Sequence, residues 1–165
     1  MAIQLIRVSS DRLAEIAALA YKIWNVHYPP IVGQAQVDYM LERFYNLEAL
    51  KKQISEGQEF YLIQEEGRDN GFIALSRKGP DDFFIHKFYI NTNEQGKGLG
   101  EKVFNKVLGL FDSEHPKIQL TVNRQNHKAI NFYFKIGFRI REVADFDIGN
   151  GYLMNDFVMQ WNKPS

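Results

Sequence analysis

The sequence has no cysteine, which excludes disulfides, thiolate metal ligands and a cysteine nucleophile together. It has no excess of either charge. Lys and Arg number 20, Asp and Glu 20, so nothing in the overall charge argues for a nucleic-acid or membrane surface, although a local basic site stays open. No run approaches the roughly 20 apolar residues of a spanning helix, and Met1 to Val8 shows no basic segment followed by an apolar one. His27, His86, His115 and His127 lie far apart with no His-x-x-x-His spacing, so no metal site is expected. A serine hydrolase would need a G-x-S-x-G elbow, and none is present. These absences predict a soluble, cytoplasmic protein. What is present, 165 residues at 45% apolar composition, suffices for one buried core and falls short of two ordinary domains.

The chain opens with a predicted strand, Ile3 to Val8. A helix follows, with caps offered by Ser9, Ser10 and Asp11 and a stripe of Leu13, Ile16, Ala17, Ala20 and Trp24. Tyr28-Pro29-Pro30 and Gly33 should interrupt any helix before Val37, Met40, Leu41 and Phe44 resume the period. Asn46 is placed to cap a helix over Leu47 to Ile54, with Gly57 as its stop, and the aromatics of these helices are expected to be exposed. Phe60 to Gln64 and Gly71 to Arg77 read as a hairpin around a turn at residues 66–70, and Phe83 to Ile90 is the next strand. A helix from Gly98 ends at His115-Pro116, ahead of a strand at Ile118 to Val122, a βαβ crossover. Asn126 and Gly137 bracket another helix, and strands at Phe138 to Ala144 and Tyr152 to Trp161 flank a Gly149-Asn150-Gly151 turn. The sum is a single α/β domain with a mixed sheet and helices on both faces.

Between the central strand and its helix lies "NEQGKGLGEKVF", Asn93 to Phe104. A glycine-rich turn opening a helix presents unpaired backbone N–H groups at the positive end of the helix dipole, which suits a phosphate. A P-loop would need Gly-Lys-Ser/Thr, and Lys97 is followed by no hydroxyl residue in place. A dinucleotide fingerprint counted from Gly96 and Gly98 finds Glu101 where its last glycine belongs, which disfavours a nicotinamide-dependent oxidoreductase. Gln95-x-x-Gly98-x-Gly100 does fit the Q/R-x-x-G-x-G/A pattern, and here the chain resembles the GCN5-related N-acetyltransferase (GNAT) family. "TVNRQNHKAINFYFKIGF", Thr121 to Phe138, resembles that family's next strand and helix, and the resemblance runs from about Phe60 to Trp161.

The resemblance implies one N-acetyltransferase domain over residues 1–165, with a mostly antiparallel sheet. Acceptor-side helices occupy about residues 9–56 and an acetyl-CoA core about residues 60–161. It implies that acetyl-CoA sets its pyrophosphate over the backbone amides of Gly96, Lys97, Gly98, Leu99, Gly100 and Glu101 and its pantetheine arm along Phe88, Tyr89 and Ile90, with Gln95, Asn126 and Lys135 as further contacts. Tyr133 matches the tyrosine that protonates the departing thiolate, against the plainer reading of a core aromatic. His86 stands where many relatives carry a glutamate base; a structural histidine, with a water chain as base, is the alternative. For the acceptor, Trp24 and Tyr28 head a set of aromatics near Asp38, Glu42, Asp145 and Asp147 that would hold a cationic amine, and the N-terminal layout resembles bacterial spermidine/spermine acetyltransferases. A polyamine, another small amine and a peptide amine all remain open, as does a homodimer. A non-catalytic acyl-CoA sensor of the same fold is the competing class.

Overall fold

The computed structural model describes residues 2–91 and 98–164. In chain order the elements are β1 (Ile3–Val8), α1 (Leu13–His27), α2 (Pro29–Val32), α3 (Gln34–Tyr45), α4 (Leu47–Ser55), β2 (Glu59–Glu65), β3 (Arg68–Gly79), β4 (Asp82–Ile90), α5 (Leu99–Leu108), β5 (Lys117–Asn123), α6 (His127–Ile136), β6 (Arg139–Gly149) and β7 (Tyr152–Asn162). The strands form one mixed sheet in the order β1-β2-β3-β4-β5-β7-β6. The β4–β5 ladder is parallel, while β1–β2, β2–β3, β5–β7 and β6–β7 are antiparallel. Among the described residues no helix is long and apolar enough to cross a membrane.

Two compact units make up the chain. The first comprises Met1–Ser76 with Lys87–Phe111. Its β1 and β2 pair from Ile3–Glu65 to Val8–Phe60, and α1 buries Leu13, Ile16, Ala20, Ile23 and Trp24 at helical spacing. The Asn46 side chain accepts a hydrogen bond from Ala49 N at 2.8 Å, the expected cap of α4. Tyr28-Pro29-Pro30 ends α1 but does not abolish helix: with proline in the first turn, where its missing N–H is no loss, α2 makes one further turn. The expectation of exposed aromatics fails at Trp24 and Tyr45, both 5% exposed, because the helices turn these rings inward; Tyr21 is the exposed one, at 65%. The β2–β3 turn is two residues, Glu66 and Gly67, and not five, since both adopt positive φ and close the hairpin tightly. Helix α5 stops at Leu108 and not at His115-Pro116; Gly109 caps it, and Phe111 is buried beyond its end.

The second unit comprises Arg77–His86 with Asp112–Ser165. Here β4 and β5 pair from Asp82–Lys117 to Ile85–Leu120, and β5 pairs along its whole length with β7. The Asn126 side chain accepts from Ala129 N at 3.3 Å at the start of α6, and Gly137 ends that helix, both as expected. Strand β6 runs five residues past the expected Ala144, to Gly149. Its ladder to β7 carries it through Asp145, Phe146 and Asp147, which local composition reads as loop.

Candidate functional site

In the first unit, α5 is headed by Gly98, whose φ of 71° and ψ of 12° lie in the left-handed region. A Cβ there would meet nothing within 4 Å, so glycine is required by backbone conformation and not by space. No side chain caps this helix, and its first bond runs from Lys102 N to Gly98 O at 3.2 Å. The first-turn amides, including those of Leu99, Gly100 and Glu101, therefore have no partner within the helix itself. Leu99 is buried and anchors the turn, whereas Glu101 is exposed. Gln95, Gly96 and Lys97 lie outside the described residues.

Segment Lys87–Ile90 of β4 belongs to the same unit, and Gly71 of β3 fits against it closely: a Cβ on Gly71 would stand 2.2 Å from the Tyr89 carbonyl oxygen. Only a residue without a side chain allows the two backbones that approach. The Tyr89 ring joins an aromatic cluster with both predicted acceptor residues. Trp24 lies 4.6 Å from Tyr28 and 5.5 Å from Tyr89 between ring centroids, and Tyr28 lies 6.2 Å from Tyr89. Tyr45 and Phe72 extend the cluster, Tyr45 at 5.6 Å from Trp24 and Phe72 at 5.4 Å from Tyr89. Burial pushes the Tyr45 phenol well above the ordinary tyrosine range, with Tyr28 adding to the effect and Trp24 and Tyr89 opposing it. The Trp24 contact falls short of good geometry, since Nε1 is buried without a well-aligned acceptor.

Lys87 escaped the sequence reading. Its ammonium is buried, donates to Gln53 Oε1 at 2.7 Å and Gln58 Oε1 at 3.1 Å, and is pushed down to about 7 by loss of water. Burial along β4 alternates through Phe83, Ile85 and Lys87, but the sequence does not announce it, because Phe84 and Phe88 make the other phase of the strand just as apolar.

In the second unit, Tyr133 is buried on α6, its ring 5.4 Å from Phe132 and 5.5 Å from Phe138. Asn126 caps the same helix and Lys135 is exposed on it. The half-buried His86 ring packs on Phe84 at 4.8 Å. Asp156 was also missed. It is buried on β7, and desolvation raises its carboxyl to about 6 despite a hydrogen bond with Thr121 and the nearby charge of Arg124. The acids expected to serve a cationic acceptor are engaged or solvated: Asp145 pairs with Arg124 at 2.9 Å, Asp147 accepts from Gly149 N, Asp38 accepts from Gln34, and Glu42 is exposed.

Residues 30–150 match the family described as the acetyltransferase (GNAT) domain. The chain belongs to the GNAT acetyltransferase family. An N-acetyltransferase of Mycobacterium tuberculosis is similar at 26% identity over 147 residues, covering 88% of this chain and 94% of that protein. YjaB, a peptidyl-lysine N-acetyltransferase of Escherichia coli, is 27% identical over 100 residues, which cover 60% of this chain and 62% of that one. The PaiA N-acetyltransferase of Thermoplasma acidophilum, crystallised with coenzyme A, shares the fold with a TM-score of 0.79 at 21% identity, across 98% of this chain and 99% of that one. As a GNAT acetyltransferase the protein is an enzyme, with acetyl-CoA as its co-substrate. The uncapped start of α5 is chemically compatible with that co-substrate, since its amides supply hydrogen-bond donors and positive dipole of the kind a pyrophosphate accepts.

Proposed function

We propose that this GNAT enzyme moves the acetyl group of acetyl-CoA to a small primary amine by direct attack within a ternary complex. Acetyl-CoA, when bound, supplies an activated thioester carbonyl and a thiolate leaving group. The amides from Gly98 to Glu101 hold the pyrophosphate together with Gly96 and Lys97, and Gln95 is a further cofactor contact. Phe88, Tyr89 and Ile90 orient the pantetheine arm, and Asn126 and Lys135 add polar contacts. Trp24 and Tyr28 bind the acceptor, His86, on the β4 face opposite the Tyr89 ring, takes a proton from its amine through water, and Tyr133 delivers one to the thiolate. The observation that carries this reading is the α5 N-terminus, headed by a left-handed Gly98 and closed by no side chain. The aromatic cluster supports the acceptor assignment, since it sets Trp24 and Tyr28 against the ring of Tyr89, a donor-side residue in the same proposal.

Two variants test it. Gly98→Glu places a carboxylate and a disfavoured φ at the start of α5 and is expected to abolish acetyl-CoA binding by calorimetry. Tyr133→Phe is expected to lower kcat at least tenfold with acetyl-CoA binding kept. Tight binding by the glutamate variant would overturn the pyrophosphate assignment, and full turnover by the phenylalanine variant would remove the proposed acid.

A further inference from the structure

Alternation along β4 sets Lys87 on the same face as Tyr89 and turns His86 and Phe88 to the other. The Lys87 ammonium sits 5.2 Å from the ring centroid of Phe60 and 5.7 Å from that of Tyr45, with the two glutamine oxygens as its hydrogen-bond partners. Each of these groups favours a cation, because amide oxygens only accept and ring faces attract positive charge. Its depressed proton affinity arises from burial alone, and no carboxylate among the described residues offsets it. Tyr45 is shared, its ring also packing on Trp24 at 5.6 Å, so the Lys87 charge stands within about 11 Å of the Trp24 ring. Helix α3 buries Val37, Met40, Leu41 and Tyr45, while Asp38 and Glu42 are exposed.

We propose that Lys87 determines acceptor specificity: its buried charge beside the Trp24–Tyr28–Tyr89 cluster selects a primary amine that carries no second cationic group. The inference rests on the reading of Trp24 and Tyr28 as acceptor-binding residues. The reacting amine sheds its proton before it attacks, so its own repulsion by Lys87 disappears, whereas a second ammonium keeps its charge throughout. At about 10 Å and an effective dielectric constant of about 20, that repulsion amounts to roughly tenfold in affinity. Polyamines are thereby disfavoured, and monoamines with an apolar or aromatic body fit the ring faces.

The test compares hexylamine with 1,6-diaminohexane, which has the same six-carbon chain, in thiol release from acetyl-CoA by the full-length enzyme at about pH 6, below the value near 7 at which Lys87 gives up its proton. After the factor of two for the diamine's two reactive ends, kcat/KM is expected to favour hexylamine roughly tenfold, through KM for the amine and not for acetyl-CoA. Lys87→Met, close in volume and uncharged, should bring that ratio near one, Lys87→Gln should do the same, and Lys87→Arg should retain it. A preference for the diamine in the wild type, or an unchanged ratio in both neutral variants, would overturn the inference. Tyr28→Ala separates the two layers of argument. If it leaves KM for hexylamine unchanged, the acceptor assignment fails and the inference with it; if it raises that KM while Lys87→Met leaves the ratio alone, the inference fails by itself.

Discussion

Replacing Lys87 with methionine should change how stability depends on pH, in a direction the structure fixes. The folded chain releases the Lys87 proton near pH 7, because the ammonium is 9% exposed and desolvated, whereas a lysine in the unfolded chain releases it near 10.4. Between those values the unfolded state binds more protons, so this group makes stability rise with pH and its cost is greatest at and below about pH 7. A pKa unit is worth about 1.4 kcal/mol, so between pH 7 and 9 the wild type should gain about 2–3 kcal/mol relative to Lys87→Met. Urea unfolding followed by fluorescence of Trp24 and Trp161 measures the two curves, and their difference cancels every other group that titrates in the range. Parallel curves would refute the reasoning, since they would mean that Gln53, Gln58 and the two ring faces hold the ammonium as firmly as water does.

Gly71→Ala should destabilise the protein by upwards of about 2 kcal/mol and weaken acetyl-CoA binding, because the added Cβ strikes the Tyr89 carbonyl, a backbone atom that cannot swing aside. Wild-type values in urea unfolding and calorimetry would contradict that close approach. Asp156→Asn tests the buried acid on β7. The folded carboxyl, raised to about 6, binds its proton more tightly than the unfolded one, so wild-type stability should fall as pH rises from about 4 to 6. The asparagine variant should therefore gain about 2–3 kcal/mol on the wild type between pH 4 and 7, and an unchanged difference at the two pH values would contradict it.

Where a signal was local, the sequence carried it. Asn46 and Asn126 cap α4 and α6 through their own side chains three residues on, an interaction that needs nothing from the rest of the fold. The parallel β4–α5–β5 crossover was legible from alternation followed by helical period. What depended on distant partners was not. The second half of β6 pairs with β7, and although Ala144, Phe146 and Ile148 alternate with Asp145 and Asp147, the two acids beside the Gly149-Asn150-Gly151 turn read as loop composition. The breaker His115-Pro116 predicts a later stop for α5, yet Gly109 ends the helix while Leu110 and Phe111 prolong the apolar pattern past it. At the candidate site, the glycine motif and Tyr133 were visible as motif positions. The burial of Lys87 and Asp156 was not, since a single charged residue in an alternating strand reads as its solvent face until the packing shows otherwise.

The most direct test of the central claim is calorimetric titration of the purified enzyme with acetyl-CoA, with NAD in a parallel cell, followed in the same preparation by thiol release across a panel of primary amines. The account predicts saturable binding of acetyl-CoA, none of NAD, and release of coenzyme A thiol with at least one small amine. Binding of NAD in place of acetyl-CoA, or bound acetyl-CoA that no amine discharges, would contradict it.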